Sequence, residues 1–100
     1  MHQQIIKTMP LQIRLFATLR RFVPGYDPYQ GLTLDIAPGT TLVHIIQQLG
    51  LPPEDVTLIL VNGVHQPPHY QLQGDERVAF FPPIVLVLPV YELVRLAGLV

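Results

Sequence analysis

One hundred residues with 49% hydrophobic side chains, 13% charged side chains and a net charge of −1 describe one globular domain poor in solubilising charge. The six basic residues are scattered, with no basic stripe to neutralise a phosphate backbone, so nucleic acid is excluded as the expected partner. The absence of cysteine excludes a disulfide framework, a thiolate nucleophile and a thiolate metal site, and fits a cytoplasmic location.

Residues 1–10 read as an N-terminal extension. Residues 1–8 lack both the basic start and the long apolar run of a secretory signal. From there Leu11, Ile13, Leu15 and Ala17 alternate with Gln12, Arg14 and Phe16, which predicts a strand with one buried face. Two prolines and a glycine between Arg20 and Pro28 predict a loop. A second strand follows at Leu32, Leu34 and Ile36, with Thr33 and Asp35 facing the other way, and the connection length suits antiparallel pairing with the first.

Ala37-Pro38-Gly39-Thr40 turns the chain, and Thr41 is placed to cap a helix. Leu42, Ile45, Ile46 and Leu49 form one apolar stripe at helical spacing, Gly50 suits a left-handed stop, and Pro52-Pro53 prevents resumption. Residues 56–61 are almost wholly apolar, which predicts a strand covered on more than one side. Asn62-Gly63 signals a type I′ hairpin into a short strand at Val64-His65. The stretch from Gln66 to Tyr70 should be irregular, Leu72 is expected to plug the core, and a Gly74-Asp75 turn leads to a last strand at residues 77–81. An amphipathic helix across one face of a mixed sheet of four to five strands buries these stripes together. The expected class is α+β, a β-grasp over residues 11–83, followed by an apolar extension over residues 84–100.

Four segments carry a resemblance: Ile13-Arg14-Leu15-Phe16-Ala17-Thr18-Leu19-Arg20, Gly39-Thr40-Thr41-Leu42, Val61-Asn62-Gly63, and Gly74-Asp75-Glu76-Arg77-Val78-Ala79-Phe80-Phe81-Pro82-Pro83. In order and spacing the chain resembles the ubiquitin-like MoaD/ThiS sulfur carriers, the small subunit of molybdopterin synthase and the thiamin sulfur carrier. That resemblance implies a sulfur carrier or subunit in molybdopterin or thiamin biosynthesis, partnered by an activating enzyme or by the synthase large subunit. It also implies docking through the exposed sheet face and last strand, here Arg14, Phe16, Arg77, Ala79, Phe80, Phe81, Pro82 and Pro83. In that family a C-terminal glycine carboxylate is activated, and threading it into an active site needs small side chains and free backbone torsions. Leu86 and Val87 stand in the places of the two glycines, and Gly-Gly occurs nowhere in the sequence. The expectation is therefore a protein-binding or assembly module, with sulfur carriage as the alternative.

Thirteen of the 17 residues from 84 to 100 are apolar. At roughly 1.5–3 kcal/mol for each large side chain buried, such a segment is expected to pack against something. Pro89 can open a final helix with Val90, Leu93, Val94 and Ala97 on one face, and these join Val85 and Val87 as an expected tail interface, in this chain or in a homodimer. Membrane insertion is disfavoured by Arg95, Glu92 and the three prolines Pro82, Pro83 and Pro89.

No catalytic residue is expected. The chain has no serine, and its adjacent acidic pairs, Glu54-Asp55 and Asp75-Glu76, cannot face each other as a general acid and base must. His44, His65 and His69 lack the carboxylate or thiolate spacing that would complete a metal set, so neither metal nor cofactor is assigned. The protein is read as no enzyme by itself, at most as a carrier subunit of a sulfur-transfer enzyme.

Overall fold

The computed structural model describes residues 7–83 together with Gly98. The expected tail positions Val85, Val87, Val90, Leu93, Val94 and Ala97, and the helix from Pro89, lie outside the described residues.

Five strands form one mixed sheet: β1 (Met9–Leu15), β2 (Leu32–Ile36), β3 (Leu58–Val61), β4 (Val64–His65) and β5 (Arg77–Phe81), in the spatial order β2-β1-β5-β3-β4. β1 and β5 run parallel at the centre, and every other neighbouring pair is antiparallel. The one α-helix among the described residues, α1 (Leu42–Leu49), turns Leu42, Ile45 and Ile46 into a core shared with Leu11, Ile13, Leu15, Ile59, Val61, Val78 and Phe80. Leu19, Leu51 and Leu72 close its margins. This is the expected α+β arrangement, a ubiquitin-like β-grasp.

The ends of α1 explain its length. Its first three backbone N–H groups have no partner within the helix. Leu42 N donates to Tyr70 O at 3.2 Å, Val43 N to Pro68 O at 3.0 Å and His44 N to the Thr41 side chain at 3.4 Å. The proline-rich stretch expected to be merely irregular is thus strapped across the helix start. At the other end Gly50 takes φ 71°, and Leu51 N donates to Ile46 O at 3.0 Å, the six-to-one bond that closes a helix with a left-handed residue.

Three local expectations change. β1 opens at Met9, so Met9 and Pro10 pair with Ile36 and Asp35 inside the sheet and do not belong to an extension. β1 also stops at Leu15. Ala17, expected on the buried face, is exposed with φ 51° and begins a 3-10 helix, Ala17–Phe22, within what reads as strand end and loop. Leu15 N donates to the Tyr26 hydroxyl at 2.8 Å and Leu15 O accepts from Arg20 Nε at 3.0 Å, so side chains replace the next rungs of the ladder.

β3 is shorter than expected, because Val56 N donates to Pro53 O at the end of a 3-10 turn, Pro53–Asp55. Its two faces are covered unequally: Ile59 and Val61 are buried, while Leu58 and Leu60 are half-buried on the opposite side. The Asn62-Gly63 turn takes φ 50° and 82°, the two positive values that a type I′ hairpin demands.

Candidate functional site: the outer sheet face

With α1 filling one side of the sheet, the other side carries every second residue of each strand. Register sets the rows. Gln12 lies opposite Arg77, and Arg14 opposite Ala79, across the parallel β1–β5 pair. Ala79 faces Leu60 and Phe81 faces Leu58 across β5–β3, and Leu60 faces His65 on β4. Arg14, Arg77 and His65 are exposed, whereas Ala79, Phe81, Leu58 and Leu60 are half-buried.

Phe16 joins this face although it lies beyond the strand. Its N–H donates to Phe80 O at 3.1 Å, which continues the parallel register by one residue. Its ring then stacks on that of Phe81, with centroids 4.3 Å apart and planes 9° from parallel. The pair forms an apolar ledge at one end of the β1–β5 row.

Ala79 leaves a hole between longer neighbours. The concavity there is lined by Arg14, Leu60, Asn62, Gly63, Arg77 and Ala79, with Val78 contributing from behind. Two fixtures hold its walls. Arg14 Nη1 donates to the carbonyl of Tyr29 at 2.8 Å, which ties the guanidinium to the loop that precedes β2. Asn62 clasps β5 on both sides of Arg77: Arg77 N donates to Asn62 Oδ1 at 2.9 Å, and Asn62 N donates to Arg77 O at 2.8 Å. Among the described residues, none that lines the concavity is acidic.

Five of the eight expected docking residues lie on this face, Arg14, Phe16, Arg77, Ala79 and Phe81, and Pro83 is exposed just past the end of β5. Phe80 does not lie there. Alternation along β5 turns it to the helix side, where it is fully buried in the core. Pro82 is buried as well. Leu58, Leu60, Asn62 and Gly63 are additional residues of the surface. The signal for the two leucines was their alternation with Ile59 and Val61, hidden because all four side chains are apolar.

Other polar groups have structural duties. The Glu76 carboxylate, 7% exposed, accepts from Gln73 N at 3.0 Å and from Gly74 N at 2.6 Å, fixing the turn into β5. Arg21 sits over the Phe22 ring at 5.1 Å. Among the described residues no group of three or more His, Cys, Asp or Glu side chains could hold a metal, and no helix is long and apolar enough to cross a membrane.

A five-stranded mixed sheet in this order, backed by one helix and offering an apolar and basic outer face, defines a ubiquitin-like protein. Residues 8–85 match the Mut7-C ubiquitin family model, and the chain belongs to that family. Two solved structures show the same fold. The solution structure of the Haloferax volcanii HVO 2177 protein aligns with a TM-score of 0.64 at 20% identity, covering 85% of this chain and 92% of that one. The crystal structure of H. volcanii small archaeal modifier protein 1 aligns with a TM-score of 0.59 at 16% identity, covering 76% of this chain and 99% of that one. None of the curated proteins matches the chain.

Proposed function

We propose that this protein is a non-catalytic protein-binding module that docks through the outer sheet face. One observation carries the reading: the face joins a stacked aromatic ledge, Phe16 and Phe81, to an apolar concavity at Ala79 and Leu60 rimmed by Arg14 and Arg77. Aromatic and arginine side chains around a desolvated apolar centre are the composition of interface hot spots.

Sulfur carriage is the alternative, and the sequence weighs against it. Leu86 and Val87 hold the places where a carrier of the MoaD/ThiS kind has glycines, and large side chains there obstruct a narrow activating site. Intact-mass measurement after incubation with ATP and an activating enzyme of that kind should return the unmodified chain. An acyl-adenylate or thiocarboxylate adduct would restore the carrier reading.

Docking itself is tested by a photo-crosslinking amino acid at Leu60 and, as control, at Gln47 on the exposed side of α1, in the cells that make the protein. A discrete protein adduct is expected from position 60, absent from position 47 and lost on Phe81→Asp. An adduct from position 47 alone, or one indifferent to Phe81, contradicts this reading.

A further inference from the structure

The geometry points to a specific chemistry for the partner: a segment bearing a carboxylate beside an apolar side chain, the carboxylate received by Arg14 and Arg77 and the apolar group seated over Ala79 and Leu60. This rests on the docking face proposed above and states what that face selects.

Arg14 and Arg77 stand one diagonal step apart on neighbouring strands, since Arg14 is opposite Ala79 and Arg77 precedes Ala79 by two residues on the same face. Both line one concavity, and among the described residues that line it none is acidic. The contacts made by Arg14 are to neutral backbone carbonyls, Tyr29 O at 2.8 Å and Pro28 O at 3.4 Å. A guanidinium carries five N–H donors, so these bonds orient the fork and leave other donors for an incoming anion. Holding the side chain in advance lowers the ordering cost of binding. The backbone of Arg77 is fixed on both sides by Asn62, which steadies the second cation.

Apolar ground lies directly beside this charge. Ala79 and Leu60 are neighbours across β5–β3, and the small Ala79 side chain leaves room for a leucine-sized or aromatic group. An all-apolar partner would strand two desolvated guanidinium groups, and a purely acidic one would leave this floor and the Phe16–Phe81 ledge uncovered.

A second open concavity, lined by Pro38, Gly39, Thr40, His44, Gln47 and Gln48, offers no such selection. The helix N–H groups beside it, Leu42 N and Val43 N, are spent on the carbonyls of Tyr70 and Pro68.

The test uses the full chain, ¹⁵N-labelled, titrated with three blocked decapeptides of alternating sequence: leucine–glutamate, leucine–glutamine and leucine–lysine. Leucine–glutamate should shift the amides of Leu60, Arg77 and Ala79 and bind about tenfold or more tighter than leucine–glutamine, a gap that narrows as salt screens the charges. Arg77→Gln should close most of that gap. Arg77→Glu should turn the preference toward leucine–lysine, a reversal that loss of structure cannot imitate. Equal affinity for all three peptides at this face overturns the inference and leaves docking intact. Shifts confined to another surface, or none, also overturn it, while docking is judged separately by the cross-link from Leu60.

Discussion

Phe16 and Phe81 belong to neighbouring parallel segments, and their rings stack with centroids 4.3 Å apart because the β1–β5 register runs one residue past the end of β1. Replacing either by alanine removes half-buried apolar area and should cost about 1–3 kcal/mol. A double-mutant cycle should return a coupling of about 0.5–1.5 kcal/mol. Urea unfolding of the four proteins measures it, and strict additivity would show that the stack is geometry without energy.

Phe80 and Phe81 are adjacent in sequence and opposite in role. Phe80→Ala empties a fully buried site and should cost about 3–5 kcal/mol, a large part of the stability of a domain this size. Phe81→Ala should cost less and weaken partner binding more. Thermal unfolding and binding, measured on the same pair of variants, check both orders.

Glu76 holds the turn before β5 by accepting backbone N–H groups of Gln73 and Gly74. Glu76→Ala leaves these donors without their acceptor and should cost about 1–3 kcal/mol, with faster amide hydrogen exchange at residues 73 and 74. Glu76→Gln keeps one carbonyl oxygen and should recover part of the loss.

Gly74 has φ 117°, and a Cβ there would collide with the Cβ and Cγ of Met9. Gly74→Ala should therefore destabilise by more than the roughly 1 kcal/mol of an ordinary glycine replacement at positive φ. Met9→Ala added to it should bring little relief, since alanine retains the clashing Cβ, whereas Met9→Gly should relieve the steric part alone. Denaturation midpoints of the three variants separate backbone strain from collision.

Elements with one strong period were legible in the chain. The Leu42-Ile45-Ile46-Leu49 stripe, the Thr41 and Gly50 boundaries and the Asn62-Gly63 turn all describe bonds between near neighbours, and they stand where local chemistry put them. Alternation along Leu11, Ile13 and Leu15 likewise gave the inner face of β1. What escaped depends on partners distant in sequence. The stop at Leu15 is made by Tyr26 and Arg20, and the start at Met9 by pairing with Ile36.

The candidate site was legible for the same reason and to the same limit. Arg14, Arg77, Ala79 and Phe81 fall on one face by period two, and the same period removes Phe80. Naming the last strand as a docking element, without choosing a face, put Phe80 among the surface residues. Leu58 and Leu60 were hidden because a run of four apolar side chains carries no visible alternation, and only pairing with β5 shows which two face outward.

Ala79 is the small residue at the concavity of the outer face, on which docking depends. The most direct measurement is the affinity of the protein cross-linked from position 60, purified, for the wild-type chain and for Ala79→Arg, with folding of the variant checked by its amide spectrum. Filling the hole with a long charged side chain should weaken binding about a hundredfold or more, the scale of losing a central hot spot. An unchanged affinity in a folded variant would contradict the account and move the docking surface elsewhere.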